Sequence, residues 1–106
     1  MTWERAIRDA EIPLGKTKPV RVGDDIVLIC RTSDDRIFAV EDSCSHDGAS
    51  FEDGELSETT LTCPRHGARF NVTTGAALSM PAAAPVLTFG LRRTEDGWIE
   101  VELEDE

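Results

Sequence analysis

Cys44-Ser45-His46 and Cys63-Pro64-Arg65-His66 decide how this chain is read. Each cluster supplies one thiol and one imidazole, and His46 and His66 are the only histidines in the protein. The stretch between His46 and Cys63 is long enough to bring two short loops face to face. C-x-H followed by C-x-x-H makes a four-ligand metal site with a mixed Cys₂His₂ donor set. Zinc accepts such a set, but its sites commonly pair like ligands, as C-x₂₋₄-C with H-x₃₋₅-H. Here each loop mixes one Cys with one His, and the first gap is a single residue. That segregation suits a [2Fe–2S] cluster in which two imidazoles replace two thiolates on one iron. The cluster is the preferred reading and a structural zinc module the alternative.

Glycine follows each imidazole closely, in His46-Asp47-Gly48 and His66-Gly67. Backbone amides at such turns can face inward and donate to the sulfurs, which tunes a reduction potential. Asp47 and Arg65 are expected to pull in opposite senses, Asp47 favouring the oxidised site and Arg65 the reduced one.

Working outward, the chain reads as short strands broken by turn residues, an all-β pattern. Val20-Arg21-Val22 leads to the turn Gly23-Asp24-Asp25. Ile26 to Arg31 is expected as a buried strand, and Arg36 to Val40 as its hairpin partner after Ser33-Asp34-Asp35. Residues 41–75 carry both clusters and read as an inserted metal-binding subdomain, with short strands near Leu61-Thr62 and Arg69 to Val72. Met80-Pro81-Ala82-Ala83-Ala84-Pro85 cannot form a regular ladder strand, because proline lacks the backbone donor. Val86 to Arg92 and Trp98 to Leu103 alternate as a closing hairpin. Trp3, Trp98 and Phe89 are expected in the core. Glu104-Asp105-Glu106 is expected to fray.

A chain of 106 residues suffices for one compact domain, residues 1–106. Its longest aliphatic run, Ile26 to Ile29, is far short of a membrane span. The charged N-terminus lacks the apolar core of a signal peptide. A cytoplasmic, membrane-free protein is expected. Of three cysteines, two belong to the clusters. Cys30 is expected as a small buried hydrophobe, and the count argues against a disulfide framework. Eleven basic and 21 acidic side chains give a formal charge of −10. Such a surface disfavours nucleic acid and anionic membranes, and suits docking to a basic protein face.

Taken together, these residues resemble the Rieske family, whose motif C-x-H … C-x-x-H-G stands here as Cys44-Ser45-His46 and Cys63-Pro64-Arg65-His66-Gly67. Phe70 to Gly75 is similar to the family's strand and turn after the cluster. The loop at residues 80–85 is similar to its third, cluster-covering loop. The resemblance implies a Rieske fold, an antiparallel β-sandwich-like base with the cluster-binding subdomain inserted. It implies that Cys44 and Cys63 bind one iron through sulfur, and His46 and His66 the other through nitrogen. Respiratory members carry two further cysteines in a loop-linking disulfide, and a serine and tyrosine that donate to sulfur. The matching positions are Ala49 and Arg65, and Ala68 and Phe70. Fewer donors place the expected potential toward the low end of about −150 to +300 mV.

The resemblance is closest to the soluble Rieske ferredoxins of bacterial ring-hydroxylating dioxygenases. It implies a one-electron carrier between a flavin-dependent ferredoxin reductase and a terminal non-haem iron oxygenase. The chain is not expected to catalyse alone, because an oxygenase site needs two further histidines. The small Rieske subunit of an assimilatory nitrite reductase, or a Rieske protein linked to iron–sulfur assembly, is the alternative within the family.

Overall fold

The computed structural model describes residues 2–42, 51, 54–64, 67–78 and 85–103. Its order is β1 (Thr2–Arg8), a 3₁₀ turn (Asp9–Glu11), β2 (Thr17–Val22), β3 (Asp25–Arg31), β4 (Ile37–Glu41), β5 (Glu55–Ser57), β6 (Thr60–Thr62), β7 (Arg69–Asn71), β8 (Thr88–Arg93) and β9 (Trp98–Leu103). Six strands form one antiparallel sheet in the order β1-β9-β8-β4-β3-β2, and β5-β6-β7 form a second. The large sheet curls until its two end strands, β1 and β2, approach each other. Among the described residues no helix is long and apolar enough to cross a membrane.

Strand β3 shows why the sheets sit as they do. Val27, Leu28, Ile29 and Cys30 are all buried, although successive strand residues point to opposite faces. Val27 and Ile29 join a core inside the curl, with Ile99 and Val101 of β9. Leu28 and Cys30 join a separate core with Leu61 and Phe70 of the small sheet and Val72 just beyond it. Strand β4 repeats the division, Ala39 packing inward and Val40 outward. A strand covered on both faces reads as a continuous apolar run, not as an alternation. Ile26 is the exception to the expected buried run. It is 52% exposed, lying one pair from the β2–β3 turn.

Two strands carried no expectation. Strand β1 pairs with β9, but its register slips between Arg5 and Ile7. Ala6 and Ile7 consequently both pack into the inner core, which hides the period of two. Strand β5 buries only part of Leu56 and no whole side chain.

The expected core position of Trp3 is corrected. Trp3 is 36% exposed, and its ring stacks with the Arg92 guanidinium at 4.2 Å. Trp98 is only half-buried and lies between Arg5 and Arg8, at 5.0 and 4.9 Å. Indoles on the outward face of a sheet lose water to arginine planes instead of to the core. Phe89 packs against the inner core, as expected. At the strand ends remote from the cluster motif, Arg93 grips Asp9 with two bonds of 2.6 and 3.0 Å. Arg31 reaches Asp9 at 3.1 Å and Asp35 at 2.7 Å. These arginines tie β3 and β8 to the 3₁₀ turn.

Candidate metal centre

Strands β6 and β7 are paired through Thr60–Asn71, Leu61–Phe70 and Thr62–Arg69. The second candidate ligand loop therefore begins at Cys63 and must return by Ala68. The Cys63 amide donates to the Ala68 carbonyl at 2.7 Å, and the Gly67 amide donates to the Cys63 carbonyl at 3.1 Å. Gly67 takes φ +74°, and a methyl group added there would have nothing within 4 Å. Glycine is needed here for its backbone angle, not for space. Of the amides expected to face inward at these turns, the Gly67 N–H is engaged by the Cys63 carbonyl.

Cys63 is buried, and its thiol forms no disulfide. It differs from Cys30, the other described cysteine. The Cys30 thiol sits near the end of β3 in the outer core and is pushed up to about 12, chiefly by burial and then by the Asp42 carboxylate. A thiol held that firmly protonated is a hydrophobe, in line with expectation. Cys63 instead heads a pinned loop, next to the exposed Pro64. Thiolate is the soft donor that iron–sulfur and zinc sites require. This placement fits a ligand.

Cys44, His46 and His66, with Asp47, Ala49, Arg65 and residues 80–84, lie outside the described residues. Accordingly, no group of three metal-binding side chains occurs among the described residues. The flanks of the first loop are described, and they meet the second loop. A methyl at Gly54 would stand 2.7 Å from the Thr62 carbonyl, 2.8 Å from that of Phe51 and 3.5 Å from Pro64. The exit of the first loop thus abuts the entrance of the second, and only glycine fits between them. Gly75, at φ +81°, donates to Asn71 and accepts from the Val86 amide at 2.9 Å. That bond ties Val86 to the turn that follows β7. The Glu41 amide then donates to Leu87 at 2.9 Å, so all three segments leave the sheets together.

Sequence reasoning missed Asp42, Phe51 and Gly54. Phe51 is fully buried, and its ring meets Phe70 edge-on at 5.4 Å and 74°. A lone aromatic amid Asp, Gly and Ser was the available signal. Ala68 and Phe70 are also fully buried, so the loop's base contains neither a serine nor a tyrosine hydroxyl at these positions.

A curled antiparallel sheet, a small three-stranded sheet on its flank and a buried thiol on a pinned loop define an all-β protein with one candidate metal ligand, Cys63, among the described residues. The Rieske [2Fe-2S] domain model matches residues 2–90. The chain belongs to that family, whose cofactor is a [2Fe–2S] cluster. It is 38% identical over 97 residues to the 3-phenylpropionate/cinnamic acid dioxygenase ferredoxin subunit of Photorhabdus laumondii subsp. laumondii, covering 91% of this chain and 90% of that one. The ferredoxin of carbazole 1,9a-dioxygenase from Nocardioides aromaticivorans IC177 superposes with a TM-score of 0.90 at 26% identity, covering 98% and 100% of the two chains. A chain from the complex of reduced oxygenase and oxidised ferredoxin in carbazole 1,9a-dioxygenase does so with a TM-score of 0.84 at 33% identity, covering 96% and 97%.

Proposed function

We propose that this chain is the electron-carrying ferredoxin of a ring-hydroxylating dioxygenase system. The observation that carries the reading is the end-to-end match to a dioxygenase ferredoxin subunit, over about nine-tenths of both chains. Cys44 and Cys63 would ligate one iron and His46 and His66 the other, with residues 41–75 as the cluster-binding part of a single domain spanning 1–106. When bound, the cluster supplies reversible one-electron storage.

The chain's own residues hold and shield that site. Gly67 and Ala68 fix the backbone of Cys63, and Phe51 and Phe70 fill the space beneath it. With Ala68 and Phe70 offering no hydroxyl, the potential belongs toward the low end of about −150 to +300 mV. The acidic surface steers encounter with basic faces on a flavin-dependent ferredoxin reductase and a terminal oxygenase. The chain transfers electrons and catalyses nothing alone.

The test is anaerobic single turnover. The purified chain should accept one electron from a flavin-dependent ferredoxin reductase and pass it to a terminal Rieske oxygenase, more slowly at high salt. A chain that is reduced but inert toward oxygenases, and that binds a sirohaem enzyme tightly, would replace this reading with the nitrite reductase one.

A further inference from the structure

We infer that Asp42 is a positioning residue for the metal centre, its carboxylate setting the span of the first ligand loop by accepting the Phe51 amide. The inference rests on the ligand assignment proposed above. Asp42 Oδ1 accepts from Phe51 N–H at 2.8 Å. This bond joins the two ends of residues 43–50, the segment that contains Cys44 and His46.

Both ends are anchored independently of each other. The Asp42 amide donates to the Ile26 carbonyl at 3.1 Å, so Asp42 continues the sheet beyond β4. Phe51 is fixed by its fully buried ring, edge-on to Phe70. Its carbonyl also accepts from the Gly54 amide at 2.7 Å. Phe70 is paired with Leu61 across β6 and β7, the strands that carry the second ligand loop. A continuous path therefore runs from the large sheet through Asp42, Phe51 and Phe70 to the base of the Cys63 loop. The carboxylate–amide bond closes the first loop at its base.

The geometry calls for an acceptor oxygen there, which a carboxylate and a carboxamide both supply. Without it, the direct tie between the two ends of residues 43–50 is lost, and each end rests on its own anchor. Two irons shared between two loops tolerate little change in loop separation, because each metal draws one ligand from each loop. Groups that orient metal ligands in this way typically govern affinity by about 10–100-fold.

The test compares Asp42→Ala with Asp42→Asn in the full chain carrying its cluster. Asparagine keeps an acceptor oxygen and removes the charge; alanine removes both. The readouts are the rate of iron loss to a chelator, the g values of the dithionite-reduced protein and hydrogen exchange at the Phe51 amide. Asp42→Ala should lose iron about 10-fold faster and shift its g values, and Asp42→Asn should retain the wild-type g values and rate. Equal rates in wild type and Asp42→Ala would overturn the inference, as would Asp42→Asn behaving like Asp42→Ala. If Asp42→Ala does not fold, Phe51 exchange in the wild type decides: slow exchange supports the bond, and exchange at the rate of an open loop refutes it. A wild-type chain that holds no two-iron cluster would instead overturn the ligand assignment, and this inference with it.

Discussion

The two sheets of this protein are stabilised in different ways. The six-stranded sheet has strands of five to seven residues and a core of its own inside the curl. The three-stranded sheet has strands of three residues, too short to stand in water by themselves. It exists because Leu61, Phe70 and Val72 pack onto the outer faces of β3 and β4. The difference teaches where function was placed. A self-sufficient scaffold carries a dependent sheet, and the dependent sheet carries the loop that begins at Cys63, a proposed ligand. Disturbing the first should cost stability; disturbing the second should cost the metal as well.

Phe70→Ala should have the largest effect, about 3–5 kcal/mol by urea denaturation, with loss of iron already under native conditions. Ile29→Ala empties a position in the inner core and should cost about 2–5 kcal/mol. Its cluster spectrum should stay native until the chain unfolds. If Ile29→Ala bleaches the folded protein while Phe70→Ala leaves the spectrum intact, the division between scaffold and dependent sheet is wrong.

The glycines sharpen the comparison within the loops. Gly75→Ala would drive a methyl into the Val86 carbonyl, whereas Gly67→Ala meets no atom within 4 Å and incurs only its positive φ. The Gly67 substitution should cost about 1–2 kcal/mol and the Gly75 substitution more. Paired thermal melts with iron content check the order, and equal losses would remove the Gly75–Val86 tie from the account.

Arg93→Ala should have the smallest effect, about 1 kcal/mol at neutral pH, with no change in iron content. Its pH dependence has a definite sign. Asp9 lies below its ordinary value of 3.8, first because Arg93 hydrogen-bonds to its carboxylate. A depressed carboxylate contributes stability above its unfolded value and loses it as pH falls through the folded one. The gap between wild type and Arg93→Ala should therefore be full above about pH 4 and close in more acidic solution. A gap that widens on acidification would break this assignment.

The scaffold's central hairpin and closing hairpin were legible in the sequence, because Ile26 to Arg31 and Trp98 to Leu103 carry strong apolar patterns between turn residues. Strand β1 was not, since a bulge places Ala6 and Ile7 on one side. Nor was β5, whose Glu55-Leu56-Ser57 is ordered by its neighbours and not by its own composition. The family and its [2Fe–2S] cofactor were legible from the Cys and His spacing alone. The parts proposed to brace the loops were not: the Asp42 carboxylate bonds to a residue nine positions on, and Gly54 abuts a strand not yet reached by the chain. Trp3 and Trp98 misled because an indole reads as core in composition, although arginine stacking lets it remain at the surface.

The most direct measurement is a low-temperature EPR spectrum of the purified protein before and after dithionite, with iron, zinc and sulfide analysis on the same sample. The account predicts two irons and two sulfides per chain, a silent oxidised state and a reduced signal with mean g below the free-electron value. A colourless protein with stoichiometric zinc after anaerobic purification would contradict it.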